Sequence, residues 1–182
     1  MTDRTNSASQ PTAIPPDDPT RQLTLARPGK DQGLPHVAVA GNTYTILVKG
    51  KDTDGRYTLI DMLIPPGGGP PPHRHDFEEM FSILEGEIEL TFRGETVVAS
   101  VGETVNIPAN APHRFQNKTN QPVRLLCLCV PAGQDDFFLE IGMPVATRTT
   151  PAPKLDEAAQ RALKAKSEEL APKYRSEFLS HA

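Results

Sequence analysis

Residues 67–86 read Gly-Gly-Gly-Pro-Pro-Pro-His-Arg-His-Asp-Phe-Glu-Glu-Met-Phe-Ser-Ile-Leu-Glu-Gly. Reduced to the residue types with special chemistry, the stretch is Gly67-x5-His73-x-His75-x3-Glu79-x6-Gly86. A second run follows, Gly102-x5-Pro108 and then His113-x3-Asn117. Side chains two apart on a strand share a face, so His73 and His75 present both imidazoles to one side, and Glu79 shares their parity. A straight strand rising ~3.3 Å per residue would carry Glu79 about 13 Å past His75, too far to share a ligand. The chain must therefore bend near Asp76 and Phe77. His113 opens a separate strand and must arrive from across the fold. A barrel supplies that convergence, because inward positions from several strands meet inside it.

Working outward, short β-rich runs cover 43–48, 57–64, 77–84, 87–92, 97–101, 104–107, 113–117 and 123–130. Turns fall at Glu85-Gly86, Arg93-Gly94 and Val101-Gly102. Nineteen prolines and thirteen glycines in 182 residues argue against a helix bundle and for many short strands. The expected class is an all-β antiparallel barrel over 34–145. A Pro-rich disordered tail, 1–33, precedes it, and a linker with a C-terminal helical segment, 146–182, follows. Within that segment, 155–170 has apolar residues at helical spacing between Pro153 and Pro172. A formal net charge of −4 disfavours a nucleic-acid or anionic-membrane partner. No apolar run is long enough for a membrane span or the core of an export signal, so a cytoplasmic location is expected.

Three imidazoles and a carboxylate suit one divalent transition ion: Fe, Mn, Ni, Co, Cu or Zn. If the ion is six-coordinate, His73, His75, Glu79 and His113 leave two positions open for chemistry. His36 and His181 lie outside the pattern and are expected to be ordinary core or surface residues. The parity of Glu78, Arg74 and Asp76 turns them away from the ligands. The Gly67–Gly69 run lacks the Lys-Ser/Thr of a phosphate cradle and is better read as a turn. Cys127 and Cys129 alternate with leucine in an apolar strand and are expected to be small buried residues. Their Cα separation, close to about 7 Å, argues against a disulfide.

The run from Gly67 to Gly86 resembles the first sequence motif of the cupins, and Gly102 to Asn117 resembles their second. Asn110 stands where the second motif has Gly; Asn tolerates a left-handed backbone. The resemblance implies a six-to-eight-stranded antiparallel jelly-roll barrel, dimeric, with a divalent metal held by His73, His75, Glu79 and His113. The stretch 136–142 is similar to small quercetin-dioxygenase-like cupins, in which the glutamate ligand doubles as base. The leading expectation is therefore a metal-dependent dioxygenase for a small aromatic or enediol-like substrate, with Glu79 catalytic and Phe81, Phe115 and Asn117 facing the substrate. The alternatives are a metal-dependent isomerase of a small sugar or keto compound, with Tyr44 or Tyr57 as base, and a barrel that binds a small molecule without catalysis.

Overall fold

The computed structural model of the chain describes residues 13–30 and 33–181. The rest of the expected tail lies outside the described residues; 13–30 carries no helix or strand and is largely exposed. Twelve strands and two α-helices follow. The strands are β1 His36–Val39, β2 Asn42–Val48, β3 Thr58–Ile64, β4 His73–His75, β5 Glu78–Glu85 and β6 Glu87–Phe92. Then come β7 Glu95–Ser100, β8 Thr104–Ile107, β9 His113–Gln116, β10 Val123–Val130, β11 Met143–Pro144 and β12 Ser176–Phe178. The helices are α1 Gln134–Ile141 and α2 Glu157–Leu170.

The strands form two antiparallel sheets, a jelly roll. One sheet is ordered β11-β1-β2-β3-β10-β5-β8 and the other β12-β4-β9-β6-β7. Burial alternates along β5 and β10, as it must when one face of a strand meets the core and the other does not. Ile60, Ile64, Ile83, Leu125 and Val123 from the first sheet and Ile88 and Leu90 from the second close the core between them. Among the described residues no helix is long and apolar enough to cross a membrane.

The bend demanded by the spacing of His75 and Glu79 falls at Asp76 and Phe77. There the chain leaves one sheet as β4 and joins the other as β5. His113 does not arrive from across the fold. It lies on β9, the neighbour of β4, directly opposite His73. Five elements differ from the sequence expectation. The short strands β1, β11 and β12 carry too few residues for a periodicity and exist because a neighbouring edge pairs with them. Helix α1 falls within the span expected to be all-β barrel, and it buries Phe137, Phe138 and Ile141. Helix α2 begins at Glu157 rather than 155, because Asp156 serves as its N-cap and accepts from the Ala159 amide at 2.8 Å.

The carboxy-terminal segment is a strap across the barrel mouth. Strand β12 pairs with β4, setting Ser176 opposite His75 and Phe178 opposite His73. Two ion pairs flank the pairing, Arg74 with Glu177 at 2.6 Å and Arg175 with Asp76 at 2.6 Å. Gly69 has φ +140° and lies against the β9 backbone; a Cβ there would sit 2.1 Å from the Phe115 carbonyl oxygen. No side chain can be accommodated without moving the strand that carries His113. We therefore expect Gly69→Ala to destabilise the fold by about 2–3 kcal/mol. Gly29→Ala, where nothing lies within 4 Å, should change stability by less than about 0.5 kcal/mol. Paired urea or thermal unfolding curves decide the matter; equal midpoints for the two variants would contradict it.

Candidate metal centre

Strand β4 delivers two imidazoles, β9 a third, and the first turn of β5 a carboxylate. One ligand atom from each of His73, His75, Glu79 and His113 lies within 4.8 Å of every other. The site thus straddles both sheets, with the histidines on one and the glutamate on the other. His75, Glu79 and His113 are buried, and His73 is half-buried. The His75 ring stacks on Phe77 at 3.9 Å between centroids, which fixes its plane.

Each imidazole is anchored through Nδ1 to a backbone carbonyl: His73 to Pro71 at 3.0 Å, His75 to Phe77 at 2.9 Å, His113 to Ala111 at 2.8 Å. A carbonyl oxygen can only accept, so Nδ1 carries the proton in all three rings. Nε2 is left with its lone pair, the tautomer a metal requires. The Nε2 atoms of His75 and His113 then face Glu79 Oε2 at 3.3 and 3.2 Å. Lone pair opposes lone pair at that point unless something positive lies between them. The four donors fit one divalent transition ion, which would relieve that opposition; without an ion a proton must do so.

The local electrostatics carry the same signature. Burial alone would raise the Glu79 carboxyl, but its hydrogen bonds to His113 and His75 and their charge outweigh burial and hold it well below the usual carboxylate range. Burial opposes charge on His113 too, yet Glu79 overrides it and raises the His113 pKa. For His73 the balance reverses: burial, reinforced by repulsion from His113, outweighs the attraction of Glu79 and lowers it to about 3. The other polar neighbours point elsewhere. Glu78 is exposed and accepts from Asn106 and the Ala109 amide. His36 is tied to Thr45 at 2.7 Å, and His181 is exposed. Asn110 takes φ +68°, the left-handed turn expected of it, and its amide donates to the His75 carbonyl at 2.6 Å.

A cavity of about 1100 Å³ opens onto His73 and Glu79. Its walls include Tyr44, Met62, Phe115, Phe137, Phe138 and Ile141, and the strap contributes Leu163 and Phe178. Of the three residues expected to face a substrate, Phe115 lines this cavity. Phe81 is packed edge-on behind Phe115, with centroids 5.2 Å apart. The Asn117 amide is consumed by a turn: it donates to the Ile64 and Gln121 carbonyls and accepts from the Thr119 amide. Strand parity put all three inside the barrel, but depth was decided by neighbours parity does not describe. The aromatic pair on α1 was within reach of the sequence only as an apolar Phe-Phe step. Tyr44 lies on the wall, its ring tilted against Phe138 with centroids 4.7 Å apart, and burial raises its hydroxyl pKa. Tyr57 is 40% exposed and lies off the cavity.

Residues 60–129 match the cupin domain family. The chain is 32% identical over 88 residues to an uncharacterised protein of Methanocaldococcus jannaschii, covering 47% of this chain and 70% of that protein. It is 24% identical over 124 residues to the quercetin 2,3-dioxygenase of Bacillus subtilis, covering 63% of this chain but only 36% of that enzyme. Among solved structures, a predicted oxalate decarboxylase from Thermotoga maritima superposes with a TM-score of 0.54 at 18% identity, over 59% of this chain and 98% of the other. An RmlC-like cupin from Shewanella frigidimarina gives 0.52 at 16% identity, over 64% and 98%. At these identities the structures share the fold alone.

Two outcomes are expected of the centre. His75→Ala and His113→Ala should keep the far-ultraviolet dichroism of a β protein while losing stoichiometric binding of Zn²⁺ or Mn²⁺ in equilibrium dialysis. In the parent protein, metal must displace the His113 proton that Glu79 stabilises. Affinity should therefore rise about tenfold per pH unit up to the raised His113 value and level off above it. Chelator competition across pH 5–9 reads that slope; a flat profile would rule out proton displacement at this ring.

Proposed function

We propose that this chain, which belongs to the cupin superfamily, is a metal-dependent dioxygenase acting on an aromatic or enediol-like substrate. The observation that carries the reading is the convergence of four electron-rich donors on one point, two of them, His73 and Glu79, lining a cavity with aromatic walls. A volume of about 1100 Å³ suits a substrate of several rings rather than a small sugar or keto acid. Likeness to a quercetin 2,3-dioxygenase over part of that enzyme supports the same substrate class.

His73, His75, Glu79 and His113 would hold the ion. When bound, a redox-capable divalent ion would polarise a substrate oxygen and bring O₂ and the organic substrate to one centre. Tyr44, Phe115, Phe137 and Phe138 would pack against the substrate rings and keep water from them. Glu79 remains ionised through the neutral range because its carboxyl is held low, so it is available to receive a proton from a substrate hydroxyl approaching Oε2. Both atoms of O₂ would enter the product, and no external reductant is needed. The isomerase reading has one residue in its favour, Tyr44 on the cavity wall. Burial raises the Tyr44 pKa, which makes it a poor base at neutral pH.

The test is oxygen uptake by purified protein of measured metal content, offered flavonols and simpler hydroxylated aromatics. Uptake should equal substrate loss mole for mole and vanish in His113→Ala. Protein that holds metal in full yet consumes no oxygen with any member of the panel would overturn the dioxygenase assignment and leave an isomerase or a binding protein.

A further inference from the structure

Glu79 has a second set of partners, on the side away from the imidazoles. Strand β10 runs beside β5, and their register sets Cys129 opposite Glu79 and Cys127 opposite Phe81. Both cysteines are fully buried and unpaired. The Cys127 thiol donates to Glu79 Oε1 at 3.3 Å; the Cys129 sulfur lies 4.0 Å from the same oxygen and 3.6 Å from Cys127 Sγ. A thiol has one proton to give. That of Cys127 goes to the carboxylate, and Cys129 has two acceptors within reach of its own proton, Cys127 Sγ and the more distant Oε1.

The two oxygens of Glu79 are therefore not equivalent. Oε2 faces His75 and His113, whereas Oε1 is turned inward to the thiol. The terminal torsion of a glutamate is broad and roughly two-fold, so nothing intrinsic to the side chain fixes that orientation. We propose that Cys127 is a positioning residue: its thiol holds Oε1 of Glu79 so that Oε2 alone is offered to the imidazole cluster and the cavity, with Cys129 steadying Cys127. A carboxylate released from this hold can turn and present both oxygens to a cation, occupying a coordination position that a substrate would otherwise take. The inference rests on reading Glu79 as a metal ligand.

Cobalt(II) is the probe, because its visible absorption weakens as coordination number rises. Parent protein, Cys127→Ser, Cys127→Val and Cys127→Ala would each be titrated with Co²⁺. Serine keeps a donor at this position, valine keeps bulk without a donor, and alanine lacks both and is the substitute should valine prove too large to fold. The parent and the serine variant are expected to share one spectrum, while the variants without a donor show a weaker one, marking a carboxylate bound through both oxygens. Turnover on an accepted substrate should fall about tenfold or more in kcat for the valine variant, with KM little changed, and be rescued by serine. Identical spectra in all four proteins would overturn the positioning role while leaving the metal site standing. A second equivalent of Co²⁺ bound with sulfur charge-transfer absorption would overturn it too, by making the thiols ligands. Failure of the parent to bind cobalt would instead remove the metal reading, and the role of Cys127 with it.

Discussion

The architecture is organised around an electrostatic opposition. Three imidazole nitrogens and a carboxylate oxygen point their lone pairs at one another in a buried place, where water can do little to screen them. The protein enforces this by spending every Nδ1 proton on a backbone carbonyl at Pro71, Phe77 and Ala111. A cluster so arranged is incomplete without a positive charge. In its absence the His113–Glu79 pair keeps a proton, which pushes that ring up, while burial, reinforced by repulsion from His113, pushes its neighbour His73 down.

Holding that arrangement requires rigidity from elements that have little of their own. Strand β4 is only three residues long, and its contact with β9 is the single pair His73 and His113. Its other edge would be open but for β12, which pairs with it along its whole length and is flanked by two ion pairs. The carboxy-terminal segment thus does two jobs at once. It braces the strand that carries two of the histidines and lines the cavity onto which His73 and Glu79 open. The α1 aromatics and Tyr44 complete that cavity on the barrel side.

Much of this was legible from residue types and spacing, and the reasons are local. Parity on a strand placed His73, His75 and Glu79 together and sent Glu78, Arg74 and Asp76 outward. The fixed rise of an extended chain required the bend at Asp76 and Phe77. Asn110 was legible because only a few residue types accept positive φ. The same local rules misjudged depth: Phe81 and Asn117 are inside the barrel but off the cavity, one screened by Phe115 and the other spent on its own turn. Helix α1 and strand β12 escaped because a short element takes its stability from the surface it docks on.

The sequence by itself determined which side chains could bind a cation, which face of the chain they share, and where the backbone must turn to unite them. These follow from bond geometry within a few residues. Only the tertiary structure decided that His113 stands beside His73, that Cys127 faces the far oxygen of Glu79, and that the chain's end closes the mouth of the barrel. Each of these is a register between strands distant in sequence. Register is set by the collective packing of the two sheets, for which no single stretch of chain carries the instructions.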